Sequence, residues 1–168
     1  MKQLIFVGGP MGVGKTTVCG ELKKALSPSV YLDGDWCWDM NPFLVNEETK
    51  TMVMDHITYL LRSFLMHSSF QYVILSWVMH EQSIIDELLS RLSPLAFQAH
   101  CFSLVCSQQQ LRARLQKDID AGRRTPDVIH RSLSRLACYD SLQTLRLDVS
   151  QLTPSETCRL ILSYLPKG

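Results

Sequence analysis

Apolar residues along the chain fall into two alternating patterns. Short continuous runs, Leu4–Val7, Val30–Leu32, Tyr72–Val78, Ala99–Cys106 and Leu145–Val149, read as strands buried on both faces. Between them, apolar residues recur three and four positions apart, as on one face of a helix. Lys15–Leu26 sets Val18, Leu22 and Ala25/Leu26 on one face and stops at Ser27-Pro28. Glu47–Met66 carries a longer stripe at Val53, Ile57, Leu60 and Phe64. Glu81–Leu92 and Gln108–Ile119 are two further helices. Another is expected from Thr125 as cap and Pro126 at the first position to about Leu142. Thr153-Pro154-Ser155-Glu156 is a capping box that opens a last helix to Leu165. Residues 36–46 read as irregular. Strand and helix alternating five times predict an α/β fold, a parallel sheet covered on both faces. No linker, repeat or low-complexity stretch breaks the pattern, so residues 1–168 are expected to form a single domain.

The first strand runs into Gly8-Gly9-Pro10-Met11-Gly12-Val13-Gly14-Lys15-Thr16-Thr17. Glycine there costs roughly 0.5–1 kcal/mol per position in backbone freedom, and something must offset that. Gly9-x-x-x-x-Gly14-Lys15-Thr16 has the full spacing of a phosphate-binding P-loop (Walker A motif), with a strand before it and a helix after. Such a loop turns successive N–H groups toward phosphate oxygens, and the helix start adds its dipole and free donors. Lys15 is then the cation for the β- and γ-phosphates, and the Thr16 hydroxyl is a ligand for Mg²⁺. The competing reading is a glycine-rich turn of another Rossmann-like fold, but G-x-G-x-x-G spacing is absent.

Three features narrow the chemistry. No N-K-x-D guanine signature occurs. The third strand leads into Ser76-Trp77-Val78, without the acidic residue an ATP-driven motor places there. The second strand ends in Asp33-Gly34-Asp35, where i and i+2 of an extended segment point the same way. Two carboxylates would then face the γ-phosphate, Asp33 for Mg²⁺ and Asp35 for the attacking hydroxyl. A solvated Asp-Gly turn is the bland alternative.

Arginines follow the fourth strand. Arg123 and Arg124 sit where the helical pattern breaks at a glycine, which suits a short lid over residues 117–127 whose arginines stabilise a transferring phosphoryl group. The alternative is a basic loop. Arg114 could lay its guanidinium on an adenine ring, or lie on a solvated helix face. Arg131 and Arg135 share a face, either lining the cleft or pairing with surface acids.

Together the P-loop, the Asp-Gly-Asp step, the Leu111-Arg112-Ala113-Arg114-Leu115 helix, the Gly122-Arg123-Arg124 lid and the final Asp148–Glu156 segment resemble the small P-loop kinases. That group includes shikimate kinase, gluconate kinase, chloramphenicol phosphotransferase, zeta toxin and the nucleoside monophosphate kinases. The resemblance implies a five-stranded sheet of order 2-3-1-4-5 with ATP along its carboxyl edge. It implies nucleotide contacts from Gly9, Pro10, Met11, Gly12, Val13, Gly14, Lys15, Thr16 and Thr17. It also implies metal and acceptor roles for Asp33 and Asp35, adenine packing by Arg114, a lid role for Arg123 or Arg124, and Gln151 on the segment closing the adenine pocket. The chain departs from the group at strand three, where Leu75-Ser76-Trp77-Val78-Met79-His80 replaces the usual D-G-F/Y-P-R of nucleoside monophosphate kinases. An ordinary nucleotide acceptor is therefore not indicated.

The acceptor side should include Asp35-Trp36-Cys37-Trp38-Asp39-Met40-Asn41-Pro42-Phe43. Trp36 and Trp38 either form an apolar wall for the acceptor or pack on the second helix as satellite core. Trp77 and His80 would face the same crevice, with His80 either binding acceptor or serving a structural role.

Composition adds limits. The chain is 46% hydrophobic and 20% charged, with a net charge of +1, so no global basic field points to nucleic acid. No apolar run approaches the roughly 20 residues of a membrane span, and no leader is expected. The six cysteines form no C-x-x-C pair and fit reduced thiols of a cytoplasmic protein. The leading expectation is an ATP- and Mg²⁺-dependent kinase of a small-molecule hydroxyl, monomeric or homodimeric. The alternatives are a nucleotide-binding regulatory protein with slow hydrolysis and a nucleic-acid 5′-end kinase.

Overall fold

The computed structural model describes residues 1–166. Five strands form one parallel sheet: β1 (Lys2–Gly8), β2 (Ser29–Asp33), β3 (Tyr72–Ser76), β4 (Phe97–Val105) and β5 (Leu145–Asp148). Their order is β2-β3-β1-β4-β5, as the resemblance implied. Six helices connect them: α1 (Lys15–Ala25), α2 (Glu47–Met66), α3 (Gln82–Leu92), α4 (Gln108–Asp120), α5 (Asp127–Leu136) and α6 (Pro154–Tyr164). Among the described residues, no helix is long and apolar enough to cross a membrane.

Strand alternation splits the core in two. Ile5 and Val7 of β1 join Val18, Leu22, Leu111, Val128 and Ile161 on one face of the sheet. Leu4 and Phe6 join Val53, Ile57, Leu61, Ile85 and Leu88 on the other. Central β1 pairs with both β3 and β4, and helices pack on both of its faces, which explains its unbroken apolar run. Each such side chain contributes roughly 1.5–3 kcal/mol by leaving water. Cys19, Cys106 and Cys158 lie in the first of these cores as small apolar groups.

Several expected elements shift. The buried stripe of α2 is Val53, Ile57, Leu61 and Leu65, an unbroken i, i+4 series; Leu60 and Phe64 sit at its half-buried border. The helix expected from Thr125 to Leu142 begins at Asp127, with Pro126 in the cap position. Thr125 does not cap it; its hydroxyl donates to the Asp127 carboxylate instead. That helix ends at Leu136 and tightens into a 3-10 turn over Ala137–Ser141. The tighter winding brings Tyr139 inward, where it is fully buried and donates its hydroxyl to the Val78 carbonyl at 2.5 Å. Part of the stretch expected to be irregular is also helical, a 3-10 turn over Gly34–Trp38.

Candidate functional site

The site lies at the carboxyl edge of the sheet, where β1 leads to α1 and β2 ends beside it. The loop between β1 and α1 is built on glycine for two separate reasons. At Gly9 a Cβ would meet the Leu104 carbonyl oxygen at 2.6 Å. At Gly14 a Cβ would meet nothing, but φ is 107°, a left-handed conformation that glycine adopts freely. Gly14 is the cap of α1, and no side chain bonds to the first-turn amides. No acidic residue occupies that turn either. The helix therefore opens with unsatisfied N–H donors and an uncompensated positive dipole end, a built environment for an anion.

Lys15 folds back over the loop. Its ammonium donates to the carbonyls of Gly9 at 2.7 Å and Pro10 at 2.9 Å. Burial pulls its pKa down to about 8, against the opposing pull of the Asp35 and Asp33 carboxylates. Thr16 donates its hydroxyl to Asp33 Oδ2 at 3.0 Å. Thr17 is exposed, and Met11 packs on the core beneath the loop.

Between the two aspartates the backbone leaves the extended strand for a 3-10 turn over Gly34–Trp38, and both carboxylates act on Lys15. Asp33 ends β2, is only 7% exposed, and accepts the Asp35 backbone N–H on Oδ1 at 3.0 Å. That bond caps the Gly34–Trp38 turn. Asp35 is exposed, and its carboxyl interacts electrostatically with Lys15. Burial raises its pKa; Lys15 opposes that and Asp33 reinforces it. Arg124 also acts electrostatically on both Lys15 and Asp35. The constellation thus joins Lys15, Thr16, Asp33, Asp35 and Arg124 at one place.

Arg123 and Arg124 are held by one acid. Asp118 accepts from Arg123 at 2.7 Å and from Arg124 at 3.1 Å, and both arginines pull its pKa down. Arg123 is 65% exposed and Arg124 30%, so Arg124 is the one turned toward the phosphate loop. Arg131 pairs with Asp127, four residues away. Arg135 instead faces His80, whose pKa is lowered by burial first and by Arg135 next. His80 Nε2 lies 3.3 Å from Glu81, and its buried Nδ1 has no partner.

Arg114 is not a solvated helix residue. It donates to the Val13 carbonyl at 2.8 Å and the Val149 carbonyl at 3.2 Å, tying the phosphate loop to the end of β5. A hollow of about 250 Å³ opens there, lined by Gly12, Val13, Arg114, Val149, Leu152 and Pro154 among others. Gln151 is exposed on the same loop, and its neighbour Leu152 supplies the lining.

On the β2 side, Trp38 packs against the core under α2 and lies 5.9 Å from the Phe43 ring, so it is satellite core. Trp77 covers Gly34, whose Cβ would come within 2.6 Å of the indole. Trp36 is 64% exposed. It lines a second hollow of about 370 Å³ with Leu32, Cys37, His56, Tyr59 and Leu60. Leu152 belongs to the Ser150-Gln151-Leu152 segment that the resemblance placed on the adenine pocket, whereas the sequence pattern assigns no role to Tyr31 or to Ser76. Tyr31 was legible only as an alternate position in a strand that ends in the Asp-Gly-Asp step.

The AAA domain family model matches residues 5–130, three quarters of the chain. The chain belongs to this family. The gluconokinase of Sinorhizobium meliloti 1021 superposes on this AAA-domain protein with a TM-score of 0.70 at 20% identity, covering 96% of this chain and 90% of that one. The tunicamycin resistance protein of Deinococcus radiodurans gives 0.67 at 20% identity, covering 97% and 95%. A sugar kinase from Janibacter sp. HTCC2649, in an unliganded structure, gives 0.70 at 14% identity, covering 98% and 94%. The fold is that of the small P-loop kinases. No curated protein matches the sequence.

Proposed function

We propose that this protein is an ATP-dependent phosphotransferase that moves the γ-phosphate onto a hydroxyl of a small molecule. The observation that carries the reading is the convergence of Lys15, Thr16, Asp33 and Asp35 at the mouth of an uncapped α1.

ATP is the donor. Gly9 to Thr17 take its phosphates on backbone N–H groups, with Lys15 exchanging its two carbonyl partners for phosphate oxygens. The base sits in the hollow beside Arg114, whose guanidinium is fixed by two carbonyls and presents its face. Arg124 neutralises charge on the transferring group, and residues 117–127 act as the lid.

The residues also fit Mg²⁺. Among the described residues, no group of three or more His, Cys, Asp or Glu is placed to hold a metal, which suits Mg²⁺, an ion usually bound by one or two protein groups together with waters and substrate phosphates. Thr16 spends its single proton on Asp33, which leaves its oxygen lone pairs free for a cation. Thr16 and Asp33 would hold the ion, which supplies charge neutralisation between the β- and γ-phosphates.

Asp35 accepts the acceptor's hydroxyl proton as that oxygen forms its bond to the γ-phosphorus, and the bond from the γ-phosphorus to the β–γ bridging oxygen breaks. Its raised pKa makes it a better base than an ordinary aspartate. Trp36, Trp77 and His80 border the acceptor side, Trp38 supports it from below, and the domain spans residues 1–168. The test is transfer of labelled γ-phosphate from ATP to a panel of hydroxyl compounds, with Asp35→Asn as the variant. Transfer that disappears in Asp35→Asn supports the proposal. ATP turnover that never reaches an acceptor and is unchanged in Asp35→Asn removes it.

A further inference from the structure

We propose that Tyr31, backed by Ser76, is a positioning residue that aims the Asp33 carboxylate at the cation side of the phosphate loop. This rests on the phosphotransfer reading and adds a part that the Asp-Gly-Asp step does not contain.

Tyr31 and Asp33 are two apart on β2 and point the same way. In the parallel register, Asp33 lies opposite Ser76 on β3. The Tyr31 hydroxyl is 2.7 Å from the Ser76 hydroxyl and 3.3 Å from Asp33 Oδ2. Counting protons fixes the direction of this chain. Asp33 accepts only, and Tyr31 has one proton to give it. Ser76 must then donate to Tyr31, so the order is Ser76 to Tyr31 to Asp33. Ser76 is 1% exposed, and Tyr31 is the partner its hydroxyl has.

Oδ2 of Asp33 thus takes two hydroxyl donors, Thr16 and Tyr31, while Oδ1 takes the Asp35 amide. Three donors from three segments leave the carboxylate one orientation. β3 carries no acid at this edge, and its Ser76 serves the acid on the neighbouring strand instead. Partners that orient a ligating carboxylate contribute to metal affinity without touching the metal.

The experiment measures ATP affinity by calorimetry with Mg²⁺ and with EDTA, for wild type, Tyr31→Phe, Ser76→Ala and the double variant. The enhancement of ATP affinity by Mg²⁺ is expected to fall about tenfold in Tyr31→Phe. Metal-free ATP affinity is expected to stay unchanged. Ser76→Ala is expected to move the same way by less. The double variant is expected to match Tyr31→Phe, because both act through one hydroxyl chain. Wild-type Mg²⁺ enhancement in both single variants overturns the assignment, as does an equal loss in metal-free affinity. A wild-type protein whose ATP affinity is blind to Mg²⁺ overturns the phosphotransfer reading together with it. Ser76→Ala decides the matter should Tyr31→Phe fail to fold.

Discussion

Thr16 of the phosphate loop and Asp33 at the end of β2 are hydrogen-bonded, Oγ1 to Oδ2, at 3.0 Å. That bond joins the nucleotide side of the cleft to the strand that carries the second aspartate. It makes the site one unit, and the consequences can be measured group by group.

Lys15 gives a pH signature. Its pKa is lowered to about 8 in the folded protein from an unfolded value of 10.5. Between those values the unfolded chain binds more protons, so this group makes stability rise with pH from about 8 to about 10.5. Below pH 8 both states are protonated and its burial penalty is present in full. Phosphate binding needs the charged form, so ATP affinity is expected to fall above pH 8, up to about tenfold per unit. Titration of ATP affinity from pH 6.5 to 9.5 checks this. In Lys15→Met the slope is expected to vanish along with most of the affinity.

The two lid arginines are expected to differ. Arg124 acts on Lys15 and Asp35, whereas Arg123 is largely exposed. Arg124→Ala should lower kcat by about 10²–10³, the loss typical of one transition-state donor. Arg123→Ala should stay within a few-fold. Steady-state kinetics on the two variants, with ATP KM recorded alongside, separates a catalytic contact from a binding one. Equal losses would contradict the assignment.

Gly34 tests the packing behind the aspartates. It is buried, and an added Cβ would strike the Trp77 ring at 2.6 Å. Gly34→Ala is expected to cost about 1–3 kcal/mol as the indole is displaced. Chemical denaturation measures the loss. A variant as stable as wild type would mean that Trp77 moves freely.

How much of this was legible in the chain depends on the range of each signal. The β1–loop–α1 unit was fully legible because Gly9, Gly14, Lys15 and Thr16 act through local backbone geometry. The sheet order came from a resemblance, since strand pairing between Gln3 and Tyr72 is remote in sequence and leaves no local mark. The extended backbone that the i, i+2 reading of Asp33 and Asp35 assumes is not there, because the Asp33 cap winds the chain into a 3-10 turn; both carboxylates nevertheless act on Lys15. The end of α5 was misread because burial of Tyr139 against Val78, 61 residues away, overrides helical periodicity. Ser76 looked like a missing acid; its partner lies on the next strand.

The central claim is that Asp35 takes the proton of an acceptor alcohol, and kcat of Asp35→Asn measures it most directly. Once an accepting compound is in hand, kcat is expected to fall about 10²–10⁴-fold with ATP KM within about twofold. In wild type, activity is expected to drop as pH falls through the raised Asp35 pKa, a limb absent from the variant's residual rate. Asp35→Asn protein that transfers phosphate at the wild-type rate, with the same acid limb, would contradict the account.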